Sequence, residues 1–356
     1  MGREPRREGA RPPLLAHGHP AALEYHRQLL DDPWRMDAYD RALRALVRPG
    51  DVVLDLGCGT AILAMLAARC GAGRVHAVES MAVAGLAAQL VRANGLEEQV
   101  LVHRGDLLAM APLEPVDLIV GDFMGRFVVD DEMLPVVREA TRWLKPGGRF
   151  CPAQLTLQLA PVGDLHFQAV ELFRQPFFGL DLAAALPYAL NYCYHAELGP
   201  EALLAPPQGY SSFRPPTVPE GFDRQLAFTL ERSGLLQGLA GWFAAELAPG
   251  IVLETKPGIE THWGQYLFPL PPTPAEAGDL LLVRLRLDER DGGGETVWCW
   301  DGQLHRPGRG TLLSCVLQSE QRLGERELEQ APTGADGPDG ADGAGGADGA
   351  GGADHG

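Results

Sequence analysis

The cysteines of this 356-residue chain form neither a Cys-x-x-Cys pair nor any other spacing typical of a zinc site. This absence argues against a zinc module. We expect reduced, mostly buried thiols in a cytoplasmic protein, at positions 58, 70, 151, 193, 299 and 315.

Long apolar runs are also missing. No segment reaches the roughly 20 apolar residues that a membrane-spanning helix needs. The basic amino terminus, MGREPRREGARPP, lacks the apolar stretch of a secretory signal. We therefore expect no membrane partner.

Positive charge is scarce, since 30 Lys and Arg stand against 47 Asp and Glu and give a formal net charge of −17. Such a chain repels the phosphates of nucleic acids, so we expect no nucleic-acid partner, whereas a basic substrate suits the acidity. The apolar content of 46% and the charged content of 22% are ordinary for a globular protein, and the length suffices for two domains.

The stretch 51–79 lacks one glycine of the dinucleotide fingerprint. It predicts a strand over Val52–Leu56, a glycine turn, a helix and a second strand that ends in Glu79. This arrangement forms a nucleotide site at the carboxyl ends of parallel strands, where an acid such as Glu79 can hold both hydroxyls of a ribose. The third glycine of the fingerprint is replaced by Ile62, so NAD is disfavoured.

The turn itself reads V-L-D-L-G-C-G-T and resembles the first motif of class I S-adenosylmethionine-dependent methyltransferases. The alternative is a Rossmann-like domain that binds another nucleotide or none. Further along, Asp106 stands where an acid could accept a hydrogen bond from an adenine amino group, with Leu107 beside it. A plain turn aspartate is the equal alternative.

The hydrophobic pattern after residue 151 predicts an antiparallel sandwich or barrel, and the helical piece within it is either an arm that packs on another subunit or part of the core. Together with the methyltransferase-like turn, this pattern predicts an α/β Rossmann-like methyltransferase domain followed by an antiparallel β-barrel domain that carries a helical arm. Short alternating runs separated by Pro, Gly and Asp replace the strand–helix units after residue 151. We predict a disordered amino terminus over residues 1–20 and the Rossmann-like domain with its lid helices over residues 21–150. The barrel follows over residues 151–330, with its arm at about 181–204, and a disordered Gly/Ala/Asp tail takes up residues 331–356.

An acidic loop follows the fourth predicted strand, with the sequence GDFMGRFVVDDEML over residues 121–134. Capping of the next helix accounts for one or two of its acids. The loop resembles the double-glutamate loop of protein arginine methyltransferases, S-E-x-M-G followed by Y-E-S-M-L. The triplet Thr261-His262-Trp263 is similar to the family's Thr-His-Trp loop, and residues 25–39 are similar to its lid segment. The likeness covers about residues 24–316.

The resemblance implies that S-adenosylmethionine binds in the Rossmann-like domain and that arginine binds between this domain and the barrel. The cofactor side would comprise a carboxylate partner, a cradle and a ribose acid, namely Arg35, Asp55, Gly57, Gly59 and Glu79. The family's glutamate near adenine is replaced by Leu108, so we expect Asp106, with Leu107, to serve on the adenine side instead. The catalytic residues would be two clamp acids and a supporting histidine, Asp122, Asp131 and His262, with Met124, Glu132, Met133 and Trp263 on the substrate side. The family's arm implies a homodimer.

The chemistry explains why two acids are needed. A guanidinium group is protonated and delocalised, so it is a poor nucleophile. Two carboxylates can grip its fork and localise the positive charge away from one nitrogen, which then attacks the methyl group. A nearby histidine can take up the released proton. We therefore predict an arginine N-methyltransferase that acts on a protein or peptide.

The chain departs from the family at the clamp itself, because aspartate replaces both glutamates. Each aspartate is about 1.5 Å shorter in reach. Either the loop lies closer to the substrate, or Glu132 takes the place of Asp131, or the substrate is not arginine. The alternatives are a methyltransferase of the same fold that acts on a small basic molecule, and a non-catalytic cofactor-binding scaffold.

Overall fold

Helices and parallel strands alternate in the amino-terminal half of the structure, a computed structural model that describes residues 20–125, 127, 133–289 and 296–318. The elements are α1 (Pro20–Leu30), α2 (Pro33–Leu46), β1 (Val52–Leu56), α3 (Ile62–Arg69), β2 (Arg74–Glu79), α4 (Ala84–Ala93), β3 (Val100–Arg104), β4 (Val116–Gly121), α5 (Met133–Glu139) with a 3₁₀ turn (Ala140–Trp143), and β5 (Leu144–Cys151). The predictions of disorder lie outside the described residues, except that α1 begins at Pro20.

The parallel sheet has the strand order β3-β2-β1-β4-β5, and its inner strands β1 and β4 are largely apolar and buried, as is usual for parallel sheets. The order reverses between β1 and β4, which pair in parallel with Leu56 opposite Gly121. The loops that follow these two strands therefore begin side by side. Such a switch point is where open α/β sheets bind their ligands.

Helix α2 is fixed at this edge of the sheet. Asp32 caps its amino terminus by accepting a hydrogen bond from the Arg35 backbone N–H at 3.0 Å, and Pro33 occupies the first turn, where its missing N–H is tolerated. Tyr39 is fully buried and donates its hydroxyl to the Gly121 carbonyl at 3.0 Å. These contacts place the start of α2 beside the end of β4.

Antiparallel strands make up the second half. They are β6 (Gln154–Gly163), β7 (Tyr194–Ala196), β8 (Gln208–Phe213), β9 (Phe222–Thr229), β10 (Gly234–Ala248), β11 (Ile251–Glu254), β12 (Gln265–Ala275), β13 (Leu280–Glu289), β14 (Thr296–Arg306) and β15 (Gly310–Gln318). Six of them form a sheet in the order β7-β12-β10-β6-β8 with β11 beside β10, and four form a second sheet in the order β15-β14-β13-β9. The antiparallel prediction is confirmed, but the strands described here form two sheets rather than one closed barrel.

An aromatic core lies between the two antiparallel sheets. Phe268 of β12 packs edge-to-face on Trp298 and Trp300 of β14, with ring centroids 5.7 and 5.5 Å apart. All three side chains are almost completely buried. Aromatic packing of this kind stabilises the sheet pair by area burial and by ring geometry.

The prediction of one helical arm at about 181–204 is wrong in its extent. The segment after β6 contains the short helices α6 (Gln168–Glu171) and α7 (Leu186–Leu190), with 3₁₀ turns at Leu172–Arg174, Ala183–Ala185 and Pro200–Ala202. After Asn191, the residues of β7 pair with β12 and so leave helical geometry. Pro200 cannot continue a helix in any case.

Among the helices of the described residues, none is long and apolar enough to cross a membrane.

Candidate active site

The glycine turn after β1 brings backbone and an acid together. Gly57 and Gly59 have positive φ angles of 67° and 54°, which favour glycine. The Gly59 N–H donates to Glu79 Oε2 at 2.9 Å, and the Met81 N–H donates to Glu79 Oε1 at 2.8 Å. The Glu79 carboxylate is therefore held at the mouth of the turn, and each oxygen keeps a lone pair for a hydroxyl donor.

The surroundings of the turn leave no space for a side chain at Gly59. A Cβ added there would lie 2.8 Å from His26 Cε1. His26 lies on α1, within the residues 25–39 that resemble the family's lid segment. Burial lowers the pKa of its imidazole. The first turn of the nucleotide motif is thus covered by the amino-terminal helices.

Asp55 lies under the turn. It is almost fully buried, and its Oδ2 accepts the Ala64 N–H of α3 at 2.8 Å. Oδ1 is buried and has no hydrogen-bond partner among the described residues. Burial raises the pKa of the Asp55 carboxyl to about 7. Its observed contact supports the cradle by fixing the start of α3.

On the predicted adenine side, Asp106 is exposed and Leu107 is buried. Asp106 Oδ1 accepts the Leu108 N–H at 2.9 Å, which is an Asx turn. One oxygen of Asp106 therefore holds a turn, which agrees with the alternative interpretation of Asp106 as a plain turn aspartate.

A buried ion pair joins α2 to the loop after β4. Arg35 Nε donates to Asp122 Oδ2 at 2.5 Å, and Arg35 Nη1 donates to the Leu29 carbonyl at 3.0 Å. The Arg35 and Asp122 side chains are 4% and 9% exposed. Burial opposes the charge on Arg35, but the attraction of Asp122 outweighs it and raises the pKa of the guanidinium.

Only one oxygen of Asp122 is used by this pair. Asp122 Oδ1 is buried and has no hydrogen-bond partner among the residues that the structure describes. An unpaired buried carboxylate oxygen is costly, so it is a natural acceptor for an incoming donor. Asp122 directly follows β4 and thus stands at the switch point.

The second acid–base contact at this edge links α2 to the antiparallel half. Asp32 Oδ2 lies 2.9 Å from both His262 Nδ1 and the His262 backbone N. Burial alone would raise the pKa of Asp32, but the hydrogen bonds from His262 and from the Arg35 backbone lower it. The sequence reasoning did not assign Asp32 to the site. Its position as an acidic N-cap one turn before Arg35 was the available signal.

Trp263 and Met124 bring the two predicted loops together. The Trp263 indole N–H donates to the Met124 carbonyl at 2.6 Å, and both side chains are buried. The Trp263 ring also lies on the His262 ring, with centroids 3.7 Å apart. The Thr-His-Trp loop and the acidic loop are thus neighbours, as the resemblance implies.

Three predicted positions cannot be placed. Asp131 and Glu132 lie outside the described residues, as does the side chain of Met133. The described part of the site therefore contains one of the two predicted clamp acids, its arginine partner, the Asp32–His262 pair and the glycine turn.

Comparisons with known proteins agree with this geometry. The profile of the methyltransferase domain family matches residues 53–148. Protein arginine N-methyltransferase 6 of Xenopus laevis is 33% identical over 264 residues, which cover 69% of this chain and 77% of that protein. Protein arginine N-methyltransferase 1 of Chlamydomonas reinhardtii is 27% identical over 287 residues, which cover 74% of this chain and 83% of that protein.

Solved structures have the same fold. Protein arginine methyltransferase 10 of Arabidopsis thaliana superposes with a TM-score of 0.73 at 25% identity, covering 83% of this chain and 97% of that one. The PRMT1 enzyme–prozyme complex of Trypanosoma brucei with AdoHcy has a chain that superposes with a TM-score of 0.76 at 23% identity, covering 83% of this chain and 98% of that one.

Proposed function

This chain belongs to the protein arginine N-methyltransferase family, and we propose that it methylates a guanidinium nitrogen of arginine in a protein, with Asp122 as a clamp acid. The observation that carries the proposal is the Asp122 carboxylate at the switch point, with Oδ2 held by Arg35 and Oδ1 buried without a partner among the described residues. Arg35 fixes the carboxylate in one orientation. Oδ1 is then left to accept an N–H of the substrate.

S-adenosylmethionine is the cofactor of this family's chemistry, and the residues present fit it. When bound, it supplies an electrophilic methyl group on a sulfonium. The turn needs glycine at position 59, because its φ angle is positive and a side chain there would collide with His26. Glu79 would hold the ribose hydroxyls with the lone pairs that its two backbone donors leave. Arg35 would meet the cofactor carboxylate with donors not used by Asp122 and Leu29.

We assign the proton released from the guanidinium to the Asp32–His262 pair. Asp32 fixes the imidazole through Nδ1, 2.9 Å away, and thus orients the other ring nitrogen. Asp32 itself remains ionised, since its hydrogen bonds outweigh the effect of its burial and lower its pKa.

The substrate class is tested by mass spectrometry with isotope-labelled cofactor and a peptide library in which each arginine-containing peptide has a lysine twin. The proposal predicts label on arginine peptides alone. Label on small amines but on no peptide would favour the small-molecule alternative. The exposed-acid variant Asp37→Asn, which loses only a surface pair on α2, serves as the active control.

We further propose that the protein forms a homodimer through the segment around α7. Its apolar side chains are unusually exposed, with Phe178 at 91%, Leu180 at 64% and Tyr188 at 51%. A second copy of this chain would cover them, as the family's arm implies. Sedimentation of the wild type and of Phe178→Ser tests this: a dimer that dissociates in the variant supports it, and a wild-type monomer at micromolar concentration contradicts it.

A further inference from the structure

The loop that carries Asp122 is anchored in the antiparallel half by Phe127. This side chain is completely buried. Its ring lies 5.7 Å from Tyr210 of β8, 5.8 Å from Phe268 of β12 and 5.4 Å from Trp298 of β14, centroid to centroid. Phe127 therefore enters the core between the two antiparallel sheets, although the loop starts from the parallel sheet.

Strand β10 provides the space for this ring. At Gly241, an added Cβ would lie 2.9 Å from Phe127 Cε2 and 3.1 Å from Cδ2. Gly241 pairs with Leu159 of β6 and Tyr266 of β12 in the middle of the six-stranded sheet. Glycine in a strand interior often marks a site where another group approaches closely. Here that group is the Phe127 ring.

The other described contacts of the loop hold its start. Tyr39 bonds the Gly121 carbonyl, Arg35 bonds Asp122, and Trp263 bonds the Met124 carbonyl. Phe127 adds a further contact to these, because its side chain packs in the core between the antiparallel sheets. Because cores are close-packed, a change of volume at Phe127 or Gly241 is transmitted to the backbone that carries the ring.

We propose that the insertion of Phe127 against Gly241 is a positioning device that places the short clamp carboxylate of Asp122 within reach of the substrate guanidinium. This rests on the proposed function. An aspartate reaches about 1.5 Å less far than a glutamate, so the backbone must compensate. A misplacement of about 1 Å can lower the rate about a hundredfold. Phe127 would therefore affect the rate by setting the position of Asp122 and not by contact with the substrate.

The test uses three variants: Phe127→Leu, Gly241→Ala and the double variant that combines these two changes. The control is Phe228→Leu. Phe228 of β9 is 1% exposed in the same half of the molecule and has no ring contact with Phe127 in the described residues, so its truncation controls for lost core volume. The measurements are kcat and KM with an arginine peptide, the Kd of S-adenosylhomocysteine by calorimetry, and the Tm.

We expect each single change at Phe127 or Gly241 to lower kcat at least about tenfold while the Kd of S-adenosylhomocysteine stays within about threefold. In the double variant the alanine methyl occupies space that the leucine leaves, so kcat recovers to within about threefold of the wild type. Phe228→Leu lowers Tm comparably but keeps kcat within about threefold.

The inference is overturned if Phe127→Leu and Phe228→Leu have equal kcat, or if the double variant is no more active than the singles. These results require an active wild type and therefore leave the proposed function intact. A wild type that methylates no arginine peptide but binds S-adenosylhomocysteine refutes the proposed function, and the role of Phe127 in clamp placement falls with it.

Discussion

Arg35 Nε lies 2.5 Å from Asp122 Oδ2, so a charge on the first turn of α2 meets a charge at the end of β4 in a region with almost no solvent access. Neither charge has another oppositely charged partner at hydrogen-bond distance in the described residues. The pair therefore connects α2 to the loop after β4 and leaves Oδ1 as the oxygen of Asp122 that is not engaged by Arg35.

Removal of Arg35 alone should strongly destabilise the fold. Arg35→Met leaves Asp122 buried without its partner, and breaking one side of such a pair costs about 3–5 kcal/mol. The double variant Arg35→Met/Asp122→Leu should lie much closer to the wild type, since both charges are gone. Urea unfolding of the two variants measures this. Equal stability of the single and double variants would contradict a buried ion pair.

His262→Gln should lower kcat about a hundredfold, within the range found when a general base is lost. The Kd of S-adenosylhomocysteine should change by less than about threefold, because the described contacts of His262 are with Asp32 and Trp263. The control is His166→Gln at an exposed position. Unaltered turnover in His262→Gln would remove the histidine from the mechanism.

Glu79 and Asp106 should differ in their importance for the cofactor. Glu79→Gln replaces a held carboxylate at the glycine turn and should weaken S-adenosylhomocysteine binding at least about tenfold, the usual loss for a charged hydrogen bond of about 1.5–3 kcal/mol. Asp106→Asn should weaken it by less than about threefold, because Oδ1 already accepts the Leu108 N–H. Calorimetry measures the Kd of S-adenosylhomocysteine for both variants. A larger loss of affinity in Asp106→Asn than in Glu79→Gln would contradict the greater importance of Glu79.

Asp55 should make the cofactor-free protein less stable as the pH rises. Its folded pKa of about 7 is above the unfolded value of about 3.9, so the folded state binds more protons between these values. The free energy of unfolding then falls from about pH 4 to above pH 7, by about 1.4 kcal/mol for each pKa unit.

Asp55→Asn removes this dependence and keeps an oxygen for the Ala64 N–H. Urea unfolding of both proteins between pH 4 and 8 should therefore show the wild type losing stability relative to the variant. A difference between the two that is constant with pH would show that Asp55 is ionised throughout.

The sequence predicted the parallel strands well, because buried parallel strands are short apolar runs bounded by glycine and polar turns. The region 181–204 was predicted poorly. Its Ala- and Leu-rich composition favours a helix, but pairing of β7 with β12 is a tertiary contact that overrides local propensity. Closure of the antiparallel strands is likewise a long-range property that alternation in the sequence does not encode.

The site was predicted in its motifs and missed in its long-range contacts. Asp32 has the sequence signature of a helix N-cap, and the structure shows that it is one, yet its second oxygen binds His262 far along the chain. Phe127 and Gly241 carry no local mark of their contact either. Such pairs are set by packing between distant segments, so one sequence alone could not reveal them.

The central claim is that Asp122 grips the substrate guanidinium, and Asp122→Asn tests it most directly. The amide keeps the size of the side chain but loses the charge that localises the guanidinium. We predict a loss of kcat of about 10²–10³-fold, the range for removal of one electrostatic stabiliser, in protein that calorimetry shows to be folded and still able to bind S-adenosylhomocysteine. Wild-type turnover by the Asp122→Asn protein would contradict the account.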